Sequence, residues 1–300
     1  MNSQPCQPTT PLPHTALVAE GGGQRGIFTA GILDAWLRAD FNPFELLIGT
    51  SAGAQNLSSY MTGQLGFGRR AITRLSSHPQ FFKVHRTLLG RHALDLDWYF
   101  DQVKTPEQGL NMDCGFRRLA NRQLMFSATR VEDRRAHFFE PQSDNWIELL
   151  KASSALPILY KNGVRIGDQY YVDGGLSAPL PVEEAYQRGA GKIVVLRTVA
   201  EDANVESPWA HKIKSWLCQG GRCPQIIDLI THHEERYARS LDFIHSPPAD
   251  AEIIQIFPPS ALRSNLVASS RQALQRDYEM GVDTGKTYLE QLGGVVAQAS

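Results

Sequence analysis

Two stretches near the start of the chain, "TALVAEGGGQRGIF" and "ELLIGTSAGAQNL", share one plan: a short apolar run, a glycine turn, then helix-periodic sequence. That plan constrains the fold more than any other feature. Apolar runs this short, bounded by glycine, read as buried strands at Thr15–Glu20 and Leu46–Ile48. Between them, "IFTAGILDAWLRA" sets Ile27, Phe28, Ile32, Leu33, Trp36 and Leu37 near one helical face. Strand, helix and strand in this order make a right-handed parallel unit, and a second helix starts at about Ala52.

The alternation continues along the chain. Strands are predicted at Gln123–Thr129 and Ala136–Phe139, a helix in "WIELLKASSALP" ending before Pro157, and a hairpin in "VRIGDQYYVDGG". "PVEEAYQRGAGKIVVLRT" returns to a helix and then a strand, Ile193–Arg197. "AEIIQIFPP" supplies a last strand, and "SSRQALQRDYEMGVDTGKTYLEQL" a long final helix. The pattern predicts an α/β domain with a mainly parallel sheet and no internal repeat. Residues 63–115, of mixed polarity, and 201–250, helical in character, fit the alternation poorly and are expected to be lids over a site at the strand ends. The proline-rich first fourteen residues read as a flexible leader, leaving 15–300 as a single domain.

Composition removes several functional classes. A hydrophobic share of 42%, a charged share of 20% and a net charge of −1 describe a globular chain with no basic footprint for nucleic acid. The leader lacks the basic start and apolar core of a secretory signal, and no run approaches the roughly 20 apolar residues of a spanning helix. Cytoplasm is therefore the expected location. "WAHKIKSWLCQG" places Trp209, Ile213, Trp216 and Leu217 on one helical face, which suits a core helix or transient contact with a membrane surface. The four cysteines, Cys6, Cys114, Cys218 and Cys223, are too dispersed for a disulfide framework or a zinc pattern and read as reduced thiols.

The two glycine turns carry the chemistry. Gly21, Gly23 and Gly26 fit G-x-G-x-x-G, the spacing of a dinucleotide turn. A dinucleotide fold wants an acidic residue at the end of its second strand, where this chain has Gly49-Thr50-Ser51. No G-K-[ST] follows the loop, so a nucleoside triphosphate is excluded as well. "GTSAG", between a strand and a helix, is the context in which a serine projects from a strained turn as a nucleophile. The glycine loop, ending the preceding strand, then reads as an oxyanion site. For the base, none of the nine histidines stands in a glycine-flanked loop after a late strand. His232 and His233 lie in polar helical sequence and read as solvated or capping. Asp173 in "YVDGG" sits at a strand end where a carboxylate is presented to a cleft, although turn chemistry alone also explains D-G.

Together these residues resemble the patatin-like phospholipases. That family's G-G-G-x-[RK]-G is matched by Gly21–Gly26, its G-x-S-x-G by Gly49–Gly53, its A-S-x-A-x-P by Ala152–Pro157 and its D-G-[GA] by Asp173–Gly175. The resemblance implies a three-layer α/β/α fold and acyl-ester hydrolysis of a lipid, of phospholipase A or lysophospholipase type. It implies a Ser51–Asp173 dyad without a catalytic histidine, and no metal or cofactor. The oxyanion donors would be the backbone of Gly21, Gly22 and Gly23, joined by Ala52, with Arg25 either supporting the loop or meeting a phosphate headgroup. A catalytically silent lipid sensor or scaffold on the same fold is the rival reading. The resemblance brings no landmark beyond the strand at Ile193–Arg197.

Overall fold

The structure, a computed structural model, describes residues 15–89, 92–105, 109–201 and 224–299. The expected leader, the Trp209–Leu217 helix, and Cys6, Cys218 and Cys223 lie outside the described residues. The strands are β1 (Thr15–Ala19), β2 (Leu46–Thr50), β3 (Gln123–Arg130), β4 (Ala136–Phe139), β5 (Val164–Ile166), β6 (Gln169–Asp173), β7 (Lys192–Leu196) and β8 (Glu252–Ile256). They form one eight-stranded sheet in the order β5-β6-β3-β2-β1-β7-β8, with β4 also on β3. The run from β3 to β8 is parallel, while β4, β5 and β6 are antiparallel additions at one end.

Side-chain alternation sorts the sheet's two faces. Leu17, Leu47, Phe126 and Val194 enter the larger core, with α1 (Gly26–Arg38), α2 (Ala52–Met61) and, farther along the chain, α6 (Trp146–Ser153). Their neighbours Val18, Ile48, Met125 and Val195 point the other way, onto α7 (Val182–Gln187) and α8 (Pro224–His245). Both faces are covered, so the central strands are apolar throughout and show no alternation in sequence. The result is the expected α/β/α layering.

Residues 63–115 supply α3 (Phe67–Arg70), which runs on into a π-helical turn at Ala71–Ser76, then α4 (Leu96–Val103) and α5 (Met112–Leu119). Phe67, Ala71, Leu94, Leu96 and Tyr99 join the larger core, so this segment is packed as well as peripheral. The long final helix, α9 (Arg271–Ala299), lies along α1. The two backbones approach so closely that a Cβ on Gly281 would stand 2.1 Å from the Phe28 carbonyl oxygen, and one on Gly31 2.3 Å from that of Tyr278. Trp36 Nε1 donates across the same seam to the Gly285 carbonyl at 3.1 Å. Among the described residues no helix is long and apolar enough to cross a membrane.

Candidate active site

Sheet register brings the two proposed chemical residues together. β4 and β6 both pair with Ala128 and Thr129 of β3, so they occupy opposite edges of it; β2 and β4 likewise share Phe126 and Ser127. β2 and β6 therefore lie on the same edge of β3, running toward each other. β2 ends with Thr50 opposite Ser127, and β6 ends with Asp173 opposite Ala128. The next residue after β2 is Ser51, and its Oγ donates to Asp173 Oδ2 at 2.7 Å across 122 positions of sequence.

Ser51 has φ 52° and ψ −118°, a backbone state that costs of order 1–3 kcal/mol and persists only where the surroundings enforce it. Here the flanking glycines let the turn close, since a Cβ on Gly49 would lie 2.5 Å from Ala54 Cα and one on Gly53 2.2 Å from the Ala19 carbonyl oxygen. Ser51 N donates to Ser153 Oγ at 2.9 Å, and Asp173 N to the Ala155 carbonyl at 2.9 Å. The A-S-x-A-x-P stretch thus holds the backbone of both residues. Thr50 Oγ1 bonds Ser127 Oγ at 2.7 Å and donates to the Ala178 carbonyl at 2.8 Å, tying the floor of the turn together.

Asp173 is 3% exposed, and Ser51 8%. The carboxylate is therefore buried, where the sequence reading expected one presented openly to a cleft. Burial pushes its pKa up to about 6, against the hydrogen bonds from Ser51 and from Gly175 N (2.7 Å to Oδ1), which favour the charged form. The group is ionised above that pH, with one oxygen on the serine and the other on a backbone amide.

The glycine loop follows β1 and abuts the elbow: a Cβ on Gly21 would stand 3.3 Å from Ser51 Cβ. Glu20 N donates to the Leu196 carbonyl and Gln24 N to that of Leu266, which anchors both ends of the glycine loop, and Gly23 lines the cavity beside Ser51. The Leu266 segment straps the loop from outside. Ser269 N donates to Gln24 Oε1 at 2.8 Å, and buried Asp277 of α9 accepts from Ser264 N at 2.7 Å. Arg25 is buried beneath the loop, beside Glu20 and Tyr237; burial lowers its pKa and the Glu20 carboxylate works against that. Its position suits support of the loop.

Beside Ser51 opens a cavity walled by Phe67, Ile72, Phe81, Leu96, Leu156 and Leu266 among others. Its few polar groups include Gln55, which is fixed by Tyr99 Oη and by Ser154 Oγ. Its lining is mainly apolar with a few fixed polar groups, the character of a ligand-binding cleft. Residues 63–115 form much of its wall.

One of two adjacent histidines departs from the sequence reading. His233, expected to be solvated or capping, is 4% exposed, and its Nδ1 lies 2.6 Å from the Gly175 carbonyl oxygen. His232 Nε2 lies 3.1 Å from Ser177 Oγ. The buried positions of α8 (Ile230, His233, Tyr237, Ser240 and Ile244) recur at three- and four-residue intervals. That periodicity was present in the sequence and puts His233 on the inward stripe. Ser127, Gln24 and Leu266 had no comparable signal, because their roles depend on pairing with distant segments.

A three-layer α/β protein with a buried serine–carboxylate pair on a strand-to-helix elbow is a well-defined class. The patatin-like phospholipase family model matches residues 17–186, and the chain belongs to that family of lipid hydrolases. A second model, described as a domain of unknown function (DUF6363), matches residues 223–296. The chain is 39% identical over 284 residues to the uncharacterized protein YjjU of Escherichia coli (strain K12), covering 94% of this chain and 79% of that one. The crystal structure of VipD from Legionella pneumophila aligns with TM-score 0.50 at 14% identity, over 93% of this chain and 67% of that one, a likeness of fold. The type III effector protein ExoU aligns with TM-score 0.39 at 13% identity, over 94% of this chain and 53% of that one.

Proposed function

We propose that the protein is a serine acyl hydrolase that cleaves lipid esters through a Ser51–Asp173 dyad and an acyl-enzyme intermediate. The observation that carries this reading is the 2.7 Å bond from Ser51 Oγ to Asp173 at the mouth of the apolar cavity. Asp173 accepts the hydroxyl proton as Ser51 Oγ attacks the acyl carbonyl carbon. The oxyanion is stabilised by N–H groups of Gly21, Gly22 and Gly23 and by Ala52 at the start of α2; each such donor typically contributes about 2.7–4 kcal/mol. Collapse of the tetrahedral intermediate breaks the ester C–O bond, and the leaving alkoxide takes the proton from Asp173. Water then attacks the acyl-enzyme, with the same carboxylate accepting its proton, and the fatty acid departs as Ser51 is regenerated.

The cavity's apolar wall suits an acyl chain. A neighbouring groove shares Phe67 and Ala71 with it and is lined by Arg70 and Arg74. This supports an anionic phospholipid or lysophospholipid over a neutral glyceride. The test is a lipid panel with positional analysis of the released chain, run beside fluorophosphonate labelling of wild type and Ser51→Ala. Labelling that persists in a folded Ser51→Ala protein sinks the proposal. Vesicle binding with neither labelling nor turnover favours the silent lipid sensor.

A further inference from the structure

The matched hydrolase region ends at residue 186, yet a side chain from the segment of unknown function reaches the turn that carries the dyad's carboxylate. We propose that His233 is a positioning residue for Asp173, acting through the backbone of Gly175, and that this is one contribution of the C-terminal segment to catalysis. The inference rests on the dyad reading above.

The chain of contacts is short. A carbonyl oxygen can only accept, so at 2.6 Å from Gly175 O the Nδ1 atom must carry the proton, which fixes the imidazole tautomer. The amide of the same residue, Gly175 N, donates to Asp173 Oδ1 at 2.7 Å. One residue therefore receives a bond from α8 and gives one to the carboxylate whose other oxygen meets Ser51. The two bonds lie on the successive peptide units that meet at Gly175 Cα, so holding the carbonyl limits how far the residue can shift; if Gly175 shifts, Asp173 Oδ1 loses its donor and Oδ2 its bearing on the serine. Gly174 adds to the demand for an external hold. A Cβ there would lie 2.1 Å from Ser127 Oγ, so the turn is built of glycines with no side chain to anchor it.

His233 is suited to this work because burial keeps it neutral. Its pKa is pushed down to about 4, chiefly by desolvation, with the Gly175 bond opposing and Arg25 and His232 adding to the depression. The charged and titratable groups facing it include Arg25 from the glycine loop and His232 on its own helix, with the Tyr237 ring 5.9 Å away. Its Nδ1 proton goes to the Gly175 carbonyl while Ser51 Oγ bonds Asp173, an arrangement different from the histidine of a triad.

The test compares His233→Asn, which keeps a donor at the δ position, with His233→Phe, which fills the space without one. In the full-length protein, on a short soluble ester, His233→Phe is expected to lower kcat about tenfold with KM nearly unchanged. The acid limb of its kcat/KM profile moves to higher pH, because a carboxylate that loses an N–H donor becomes harder to ionise. His233→Asn restores most of the rate and the original limb. If His233→Phe does not fold, His233→Ala is read against His233→Asn in the same way. An acid limb that stays in place in the donor-less variant, or one that Asn fails to restore, overturns the proposal and leaves His233 a packing residue. Failure of the dyad itself reads differently, since wild type would then resist fluorophosphonate or Ser51→Ala would retain labelling.

Discussion

Ser51 and Asp173 are each held in a state that the isolated residue disfavours, and substitution should release that cost. Ser51→Gly can adopt the φ 52° turn without a Cβ penalty, so we expect it to be more stable than Ser51→Ala by roughly 1 kcal/mol, measured by urea unfolding, with both inactive. Asp173 binds its proton more tightly folded than unfolded, so its contribution to stability falls as pH rises from its ordinary 3.8 to about 6. Asp173→Asn removes that term and should stabilise the protein at pH 7.5 by up to about 3 kcal/mol while abolishing ester hydrolysis. His233 has the opposite sign: neutral when buried, it loses stability as pH falls from 6.5 toward 4. The two nearly cancel in the wild type, so Asp173→Asn should show a steeper loss of stability on acidification than wild type does. No single His→Ala variant that stays folded should match Asp173→Asn in lost activity; one that did would return the chain to triad chemistry. At this scale Ser51, Asp173 and the glycines were legible because their spacing is local to one turn each. Ser127 and Gln24 were not, since what they touch is 77 and 245 positions away.

The central strands were legible as elements because burial on both faces leaves uninterrupted apolar runs, and the turns after them are written in glycine. Boundaries moved: β2 runs to Thr50, α6 stops at Ser153 short of the expected end before Pro157, and the final helix reaches Ala299, well past the expected end at Leu292. The order β5-β6-β3 was not readable, since nothing in "YYVDGG" says that it will lie end to end with "LLIGT". Nor was the seam between α1 and α9. Gly281 sits in a helix, where a lone glycine normally costs stability relative to alanine, yet its missing Cβ admits the Phe28 carbonyl. We expect Gly281→Ala to destabilise the protein by more than 2 kcal/mol in thermal or urea melts. Gly293→Ala, on the same helix with nothing within 4 Å, should stabilise by about 0.5–1 kcal/mol. Equal effects at the two positions would mean that the helices do not meet as described.

Across the whole molecule, the two family matches divide the sequence but not the sheet. β8 lies in the second match and pairs along its length with β7, which lies in neither, while α8 and α9 cover opposite faces. A protein ending after residue 223 should therefore yield no cooperative melt and no fluorophosphonate labelling; a folded, labelled fragment would show the C-terminal segment to be dispensable. The Leu266 strap over the glycine loop has a further consequence for the order of events at the ribosome. The glycine loop is translated well before the strap and its anchor at Asp277. Gln24 waits 245 positions of synthesis for its bond from Ser269. The loop is therefore completed by a segment made long after it, so its ordering is timed by the direction of translation.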